Sequence, residues 1–257
     1  MKIIIIFILI FCSQILYSTN NDKIKLYEYG FNISYLSLNH FADFKELNEV
    51  KNCCPSFSNA NGNGISLGLF YSEKLFSRYN WSLGLSLQQS NGIFLDSETL
   101  PSFNFETNDI KNAEIKYSLQ SESIILGLNP NIFFNYNDFN ISFGLNFNFQ
   151  LLSQFSYYSN LNTLPGYTFA NNEIKRNNIT GNINNINLIL LEPVFSISYD
   201  IPLNNTFTYS ISPEIKVSYL LNNVISDNKW KYFSIYFGFS FKKLRFDKYD
   251  TPLRPLR

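Results

Sequence analysis

The chain has 257 residues, a formal net charge of zero and only 16% charged residues. This balance gives no electrostatic reason to expect nucleic acid or another polyanion as a partner. Beyond the N-terminus, no stretch offers the roughly 18 uninterrupted apolar residues that a membrane-spanning helix needs. We therefore expect any later crossing of a membrane to use strands.

The first residues are typical of a secretory signal peptide. Lys2 precedes an almost wholly apolar run over residues 3–11, and Ser18 offers a small residue for cleavage. The run is too short to span ~30 Å of hydrocarbon. We predict that residues 1–18 are a signal peptide. A lipid-modified Cys12 is the alternative, but a bulky phenylalanine precedes it and fits such a site poorly.

Eight segments then alternate large apolar residues with small polar ones. Strict alternation separates two faces only in a strand, because successive side chains of a strand point in opposite directions. In residues 139–151, for example, Phe and Leu dominate one face, and Asn, Ser and Gly dominate the other. The predicted strands cover residues 29–35, 65–71, 81–87, 124–136, 139–151, 195–201, 207–219 and 233–241.

The connections between these segments alternate in length. Short links fall at residues 76–79, 137–138 and 203–205. Longer ones fall at 39–63, 92–112 and 153–185, with a medium link at 222–228. Tight turns at one end and long loops at the other are the pattern of a membrane barrel. We predict an all-β protein, a closed antiparallel up-and-down transmembrane β-barrel of eight strands over residues 19–246, with a short tail at 247–257.

The polar face of the strands decides between a membrane barrel and a soluble one. A solvent-exposed face normally carries many Lys and Glu residues, whereas this face carries mostly Ser, Gly and Asn. Small polar side chains suit a narrow lumen, and the uniformly large apolar face can cover a band of lipid. A secreted soluble β-barrel that binds a small apolar ligand is the alternative.

Four charged residues, Glu28, Glu192, Glu214 and Lys216, fall on the inward face. If the hairpin is centred near Asn204, Glu192 lies opposite Lys216. The two could form an ion pair in a lumen charge network, or all four could simply contact lumen water.

Prolines recur on the apolar face of three strands, at Pro130, Pro193 and Pro213. Proline removes a ladder donor, and a closed barrel has no edge to hide that loss. Each proline therefore predicts a bulge or a local break in pairing.

Over the predicted barrel the chain resembles small bacterial outer-membrane barrels of the OmpA and OmpX type. A sharper likeness lies in Cys53-Cys54-Pro55, which precedes the glycine-rich strand around Gly64. This segment resembles outer-membrane barrel domains of Chlorobi and their relatives. The resemblance implies location in the cell outer membrane, with outer-membrane lipid and the barrel-assembly machinery as partners.

Residues that could carry chemistry are few. Cys53 and Cys54 could form a disulfide or stay free thiols, and the lack of a companion Cys or His cluster argues against metal. His40 is the single histidine, with Ser37 and Asp43 nearby in sequence. A lipid-cleaving or acyl-transferring triad is therefore an alternative, but no motif identifies one. We expect no enzyme activity and no cofactor.

Eight strands enclose an interior that side chains just fill, which disfavours a wide pore and leaves a narrow one as an alternative. We therefore expect a structural or surface-interaction protein. The barrel would be its anchor, and its three long outer loops would be the contact surface. The partner of these loops is unknown.

Overall fold

The computed structural model describes residues 25–44, 46–47, 50–51, 57–76, 79–104, 109–136, 138–162, 175–206 and 208–246. The predicted signal peptide, Cys53, Cys54 and the predicted tail lie outside these residues. The strands are β1 (Lys25–Phe44), β2 (Glu46–Leu47), β3 (Val50–Lys51), β4 (Phe57–Phe76), β5 (Tyr79–Asn104), β6 (Asp109–Tyr136), β7 (Phe139–Asn162), β8 (Lys175–Asn182), β9 (Ile189–Tyr199), β10 (Ile201–Pro202), β11 (Tyr209–Tyr219) and β12 (Lys229–Phe246).

Eight of these strands close into a ring of antiparallel ladders. The order around the ring is β1, β4, β5, β6, β7, β9, β11 and β12, and β12 pairs again with β1. The predicted eight-stranded barrel is confirmed, and each predicted strand lies within one of the eight apart from residues at its ends. No helix in the described ranges is long and apolar enough to cross a membrane.

Several strands are much longer than predicted. β5 has 26 residues and β6 has 28, whereas a membrane-spanning strand needs about 9–11. Their pairing runs from Tyr79↔Phe134 to Asn104↔Asp109, so the long loop expected over 92–112 is wrong and the segment is a hairpin. The loops expected over 39–63 and 153–185 also contain strand, including all of β8.

These extensions form an outer wall on one side of the barrel. We define the outer wall as residues 57–64, 89–104, 109–122, 153–162 and 175–182, which belong to β4, β5, β6, β7 and β8. The wall lies at the end of the barrel opposite the short connections. We call these two ends the outer end and the turn end.

A belt of exposed apolar side chains surrounds the barrel below the wall. The outward residues of neighbouring strands are large and exposed, and Leu69 and Phe143 expose 66% and 65% of their surface. The belt includes Phe31, Ile33, Leu67, Leu83, Leu85, Phe195, Ile197, Ile215, Phe237 and Phe239. Soluble monomers rarely expose a continuous apolar surface of this extent, whereas a lipid-facing barrel requires one.

An aromatic rim borders the belt at the turn end. The rings of Tyr27 and Tyr71 stack at 6.0 Å, and Arg245 Nη1 donates a hydrogen bond of 2.8 Å to the Tyr27 hydroxyl. Lys243 Nζ lies 5.9 Å and 5.8 Å from the ring centroids of Tyr29 and Tyr209. Aromatic and cationic side chains of this kind are enriched where hydrocarbon meets water.

The three prolines lie where a ladder is interrupted. The β6–β7 ladder skips Pro130 without a change of register. The β9–β11 ladder ends just inside Pro193 and Pro213. The predicted local break is therefore present at each proline, and the structure shows it as lost pairing rather than as a bulge.

A β-bulge occurs near the middle of β7. Ile124 pairs with Leu152 and Ile125 pairs with Gln150, so Leu151 is an extra residue. Leu151 and Leu152 are both exposed, and the inward face of β7 changes there from even to odd residue numbers. This change turns the buried Phe155 inward.

Candidate functional site

The lumen at the turn end contains a polar cavity of about 80 Å³. Its lining includes small polar residues, as the sequence predicts, and three of the predicted charged residues, Glu28, Glu214 and Lys216. Lys216 Nζ lies 3.1 Å from Glu214 Oε2. A cavity of this size and polarity has room for a few water molecules.

A second ion pair at this end was missed by sequence reasoning. Lys242 Nζ lies 2.7 Å from Asp200 Oδ1, which also accepts a hydrogen bond from Ser212 Oγ. Lys242 was missed because the predicted last strand ends at residue 241, whereas β12 continues to Phe246. Asp200 lies within the predicted strand 195–201 at an even, inward position, so the alternating pattern contained a signal for it that was overlooked.

Glu192 lies deeper in the lumen and is completely buried. Its carboxylate accepts hydrogen bonds from Asn148 Nδ2 at 2.7 Å, Ser218 Oγ at 2.9 Å and the Tyr232 hydroxyl at 2.5 Å. These groups come from β7, β11 and β12, so Glu192 on β9 ties four strands together.

The predicted position of Glu192 opposite Lys216 is wrong. Lys216 pairs with Ser196, four residues closer to the turn end than Glu192. The prediction centred the hairpin near Asn204, but the observed pairs centre it near residue 206. A shift of two residues in that centre moves each partner by four.

The outer half of the lumen contains an apolar plug, with buried polar residues such as Ser121 and Ser123 beside it. The plug consists of Leu36, Leu38, Phe57, Phe94, Phe155, Tyr157, Leu190, Leu220 and Trp230, all of which are buried. A sequence signal for it exists on β1, where Leu36 and Leu38 interrupt the polar residues at even positions. A cavity of about 20 Å³ lies beside the plug.

His40 is enclosed by the plug. Trp230 Nε1 donates to His40 Nδ1 at 3.1 Å, and His40 Nε2 lies 3.2 Å from the Asn91 carbonyl oxygen. Because an indole nitrogen can only donate, Nδ1 is the acceptor and Nε2 carries the hydrogen that reaches Asn91. Ser37 and Asp43 have the opposite parity on β1, so they face away from His40 and the considered triad is not assembled.

Two loops join across the mouth at the outer end. We call residues 183–188 and 220–228 the mouth clasp. Asn187 N donates to the Val224 oxygen at 2.9 Å, and Asn187 Nδ2 donates to the Asn223 oxygen at 2.7 Å. Ile183, Val224 and Ile225 are buried beneath these bonds and pack on the plug. The clasp thus covers the plug from outside.

The described ranges contain no assembled metal site. They contain no group of three or more His, Cys, Asp or Glu side chains that could hold a metal ion. The predicted charged residues divide between the turn-end cavity and the Glu192 hydrogen bonds. The lumen therefore contains structural contacts from the turn end to the mouth.

Comparison with known proteins gives structural neighbours alone. No protein-family model and no curated protein matches the chain. Ail, the attachment invasion locus protein of Yersinia pestis, matches 84% of this chain and 99% of its own at 10% identity and a TM-score of 0.31. OprG of Pseudomonas aeruginosa matches 86% of this chain and 96% of its own, at 12% identity and a TM-score of 0.36. The outer membrane protease OmpT of Escherichia coli matches 89% of this chain and 100% of its own, at 9% identity and a TM-score of 0.36.

The closed ring, the apolar belt and the aromatic rim define a small outer-membrane β-barrel of eight strands. This class follows from the geometry of the barrel itself. A closed barrel with a lipid-facing belt belongs in the outer membrane, where barrels of this kind span the bilayer.

Proposed function

We propose that this protein is a non-conducting outer-membrane anchor that presents its outer wall as a rigid contact surface outside the cell. The observation that supports the proposal is a contrast between two parts of the same strands. Within the apolar belt, the inward side chains of the strands fill the lumen. Beyond the belt, the ladders of β5, β6 and β7 continue as a hydrogen-bonded sheet. The contact surface is thus a strand wall, where long loops were expected.

The filled lumen argues against the narrow pore. The Glu192 bonds, the apolar plug and the mouth clasp lie one above another between the turn end and the outside. An ion on this path would meet buried Leu, Phe and Trp side chains with no compensating charge, which is costly. We propose no reaction, because the lone histidine is enclosed by Trp230 and Asn91. Outer-membrane lipid on the belt and the barrel-assembly machinery are the remaining proposed partners.

Cysteine labelling on intact cells tests which end is outside. In a background with Cys53→Ser and Cys54→Ser, Ser97→Cys reports on the outer wall and Thr206→Cys reports on the turn end; both positions are exposed. We expect a membrane-impermeant maleimide to label Ser97→Cys on intact cells and Thr206→Cys only after the cells are opened. The reverse pattern would place the wall in the periplasm and overturn the proposal.

Planar-bilayer recording tests the absence of conductance. Purified wild type is expected to give no stable current steps. The variant Phe94→Ala with Trp230→Ala, which empties part of the plug, is the control for detection and is expected to leak. Stable steps from the wild type, enlarged in the plug variant, would show that ions cross the lumen and would overturn the non-conducting part of the proposal.

A further inference from the structure

A row of polar side chains crosses the outward face of the wall. Asn91 pairs with Glu122, Glu122 with Gln154, and Gln154 with Asn182, so the four lie side by side on β5, β6, β7 and β8. Asn63 on β4 continues the row through hydrogen bonds of 2.9 Å to Asn91. We call these five residues the polar row. Five strands at about 4.8 Å spacing give it a length of roughly 20 Å.

The polar row lies in two adjoining surface grooves. One, of about 560 Å³, is lined by Asn91, Gln120, Glu122, Gln154, Asn182 and other residues of the wall. The second, of about 280 Å³, includes Asn63, Gln89, Asn91 and Glu122 and reaches Tyr35 and Ile65. Asn91 and Glu122 line both grooves, which therefore form a continuous depression along the row.

The lower rim of this depression is the apolar belt. Tyr35 and Ile65 are exposed by 51% and 56%, and both line the smaller groove. Asn63 is only two residues beyond Ile65, about 7 Å along the strand. A lipid whose chains lie against the belt would therefore bring its headgroup to the height of the polar row.

The chemistry of the grooves selects the headgroup. Among the residues that the structure describes, the lining contains no lysine or arginine and a single charged residue, Glu122, so an anionic phosphate would meet repulsion instead of a partner. Amides carry two N–H donors and an oxygen with two lone pairs, which suits hydroxyl groups that both donate and accept.

The row is also partly preorganised. Gln89 Nε2 donates to Glu122 Oε1 at 2.6 Å, and Gln154 Nε2 donates to Asn182 Oδ1 at 3.4 Å. An amide that makes one or two such bonds still has hydrogen-bonding capacity for a ligand. Ordered side chains lose less freedom on binding than mobile ones.

We propose that the polar row binds the neutral sugar headgroup of an outer-leaflet glycolipid, whose acyl chains lie on the belt below. This inference rests on the proposed function in one respect, namely that the wall faces outward. It names a ligand class for that surface. The glycolipid would seat the wall against the membrane surface on the β4 to β8 side of the barrel.

Native mass spectrometry of the purified barrel tests the proposal. The protein is exchanged from phosphatidylcholine vesicles containing a neutral diglucosyl diacylglycerol, and the lipids retained per barrel are counted in a titration. The row variant is Asn91→Leu with Glu122→Leu. Its matched control is Ser97→Leu with Thr99→Leu, at two exposed positions of the same strand outside both grooves.

We expect wild type and control to retain the glycolipid equally and the row variant to bind it about tenfold more weakly, as the loss of one or two hydrogen bonds implies. Gln154→Leu alone is the milder second variant and is expected to weaken binding in the same direction. It carries the test if the row variant lacks the heat-dependent gel shift of a folded barrel.

Three results would overturn the inference. Equal retention by wild type and the variants would show that the row is not the site. Stronger retention of phosphatidylglycerol would identify a phosphate-binding surface. Displacement by soluble maltose at matched concentration would identify a site for free sugar rather than for a lipid headgroup. None of these results alters the cysteine labelling or the conductance, so failure here is distinct from failure of the proposed function.

Discussion

Replacement of Glu192 tests whether buried hydrogen bonds hold the lumen closed. Glu192→Ala removes the acceptor of three donors, from Asn148, Ser218 and Tyr232, at a position with no exposed surface. A hydrogen bond to a charged group contributes about 1.5–3 kcal/mol. Three bonds at the low end of this range give about 4–5 kcal/mol, and water entering from the turn-end cavity would reduce the loss to about 3–4 kcal/mol.

Two control variants separate this effect from a general sensitivity of the lumen. Glu192→Gln keeps an acceptor for two of the donors, and the Ser218 hydroxyl can reverse and accept from the new amide, so we expect a loss of about 1 kcal/mol. Glu214→Ala removes an ion pair with Lys216 and a long hydrogen bond from Ser240 beside the polar cavity, where the loss is also expected to be about 1 kcal/mol.

Urea unfolding of the barrel in lipid vesicles measures these losses. Tryptophan fluorescence reports on both sides of the barrel wall, because Trp230 is buried in the plug and Trp81 is exposed on the belt. The reasoning fails if Glu192→Ala unfolds within about 0.5 kcal/mol of wild type, or if it costs no more than Glu214→Ala.

Three further predictions concern single positions. A Cβ added at Gly92 would lie 2.8 Å from His40 Nε2, whereas a Cβ added at Gly84 would have its nearest neighbours at 3.5 Å. In urea unfolding, Gly92→Ala should therefore lower the stability by about 1–3 kcal/mol, and the control Gly84→Ala should change it little. Equal losses from the two variants would contradict the tight packing around His40. Asp200→Asn should destabilise the barrel by about 3 kcal/mol, because it removes the carboxylate that pairs with buried Lys242. Adding Lys242→Met to this variant should recover most of the lost stability. Strictly additive losses would disprove the pairing. Burial and then the neighbouring Asp200 raise the pKa of Asp138 in the turn after β6, so the folded barrel binds this proton more tightly than the unfolded chain. Wild type should therefore lose stability relative to Asp138→Asn as the pH rises above the ordinary aspartate value of about 4, and a pH-independent difference would contradict the shift.

The alternation of residue types was enough to predict the barrel, because each strand must keep lipid on one side and lumen on the other. Residues 139–151 and 233–241 show this directly. Above the belt the outward partner is water. There the outward side chains of β5 change from Leu87 to Gln89 and Asn91, and the contrast between faces disappears although the ladder continues. This is why the sequence predicted loops where the strands in fact continue.

The contents of the lumen were harder to predict for a different reason. Which charges meet depends on register, and register across β9 and β11 depends on how β10 and the turn are built, which alternation does not reveal. The mouth clasp depends on backbone positions of Asn185, Asn187 and Asn223 that have no repeating pattern. The sequence indicated the plug only on β1, where Leu36 and Leu38 interrupt the polar inward face. Two apolar residues on one strand do not specify a core to which many strands contribute.

The extra residue at Leu151 has a consequence for how this chain tolerates change in length. Deletion of either Leu151 or Leu152 would leave the lower half of β7 in place and rotate every side chain beyond it by half a turn. Phe155 and Tyr157 would then face water, and Gln154 would enter the plug. An insertion or deletion of one residue is usually harmless near the tip of a hairpin, but here it would exchange the inside and the outside of the wall. Length variants that preserve the protein should therefore change β7 above this step by even numbers of residues, or only near the connection that follows Asn162.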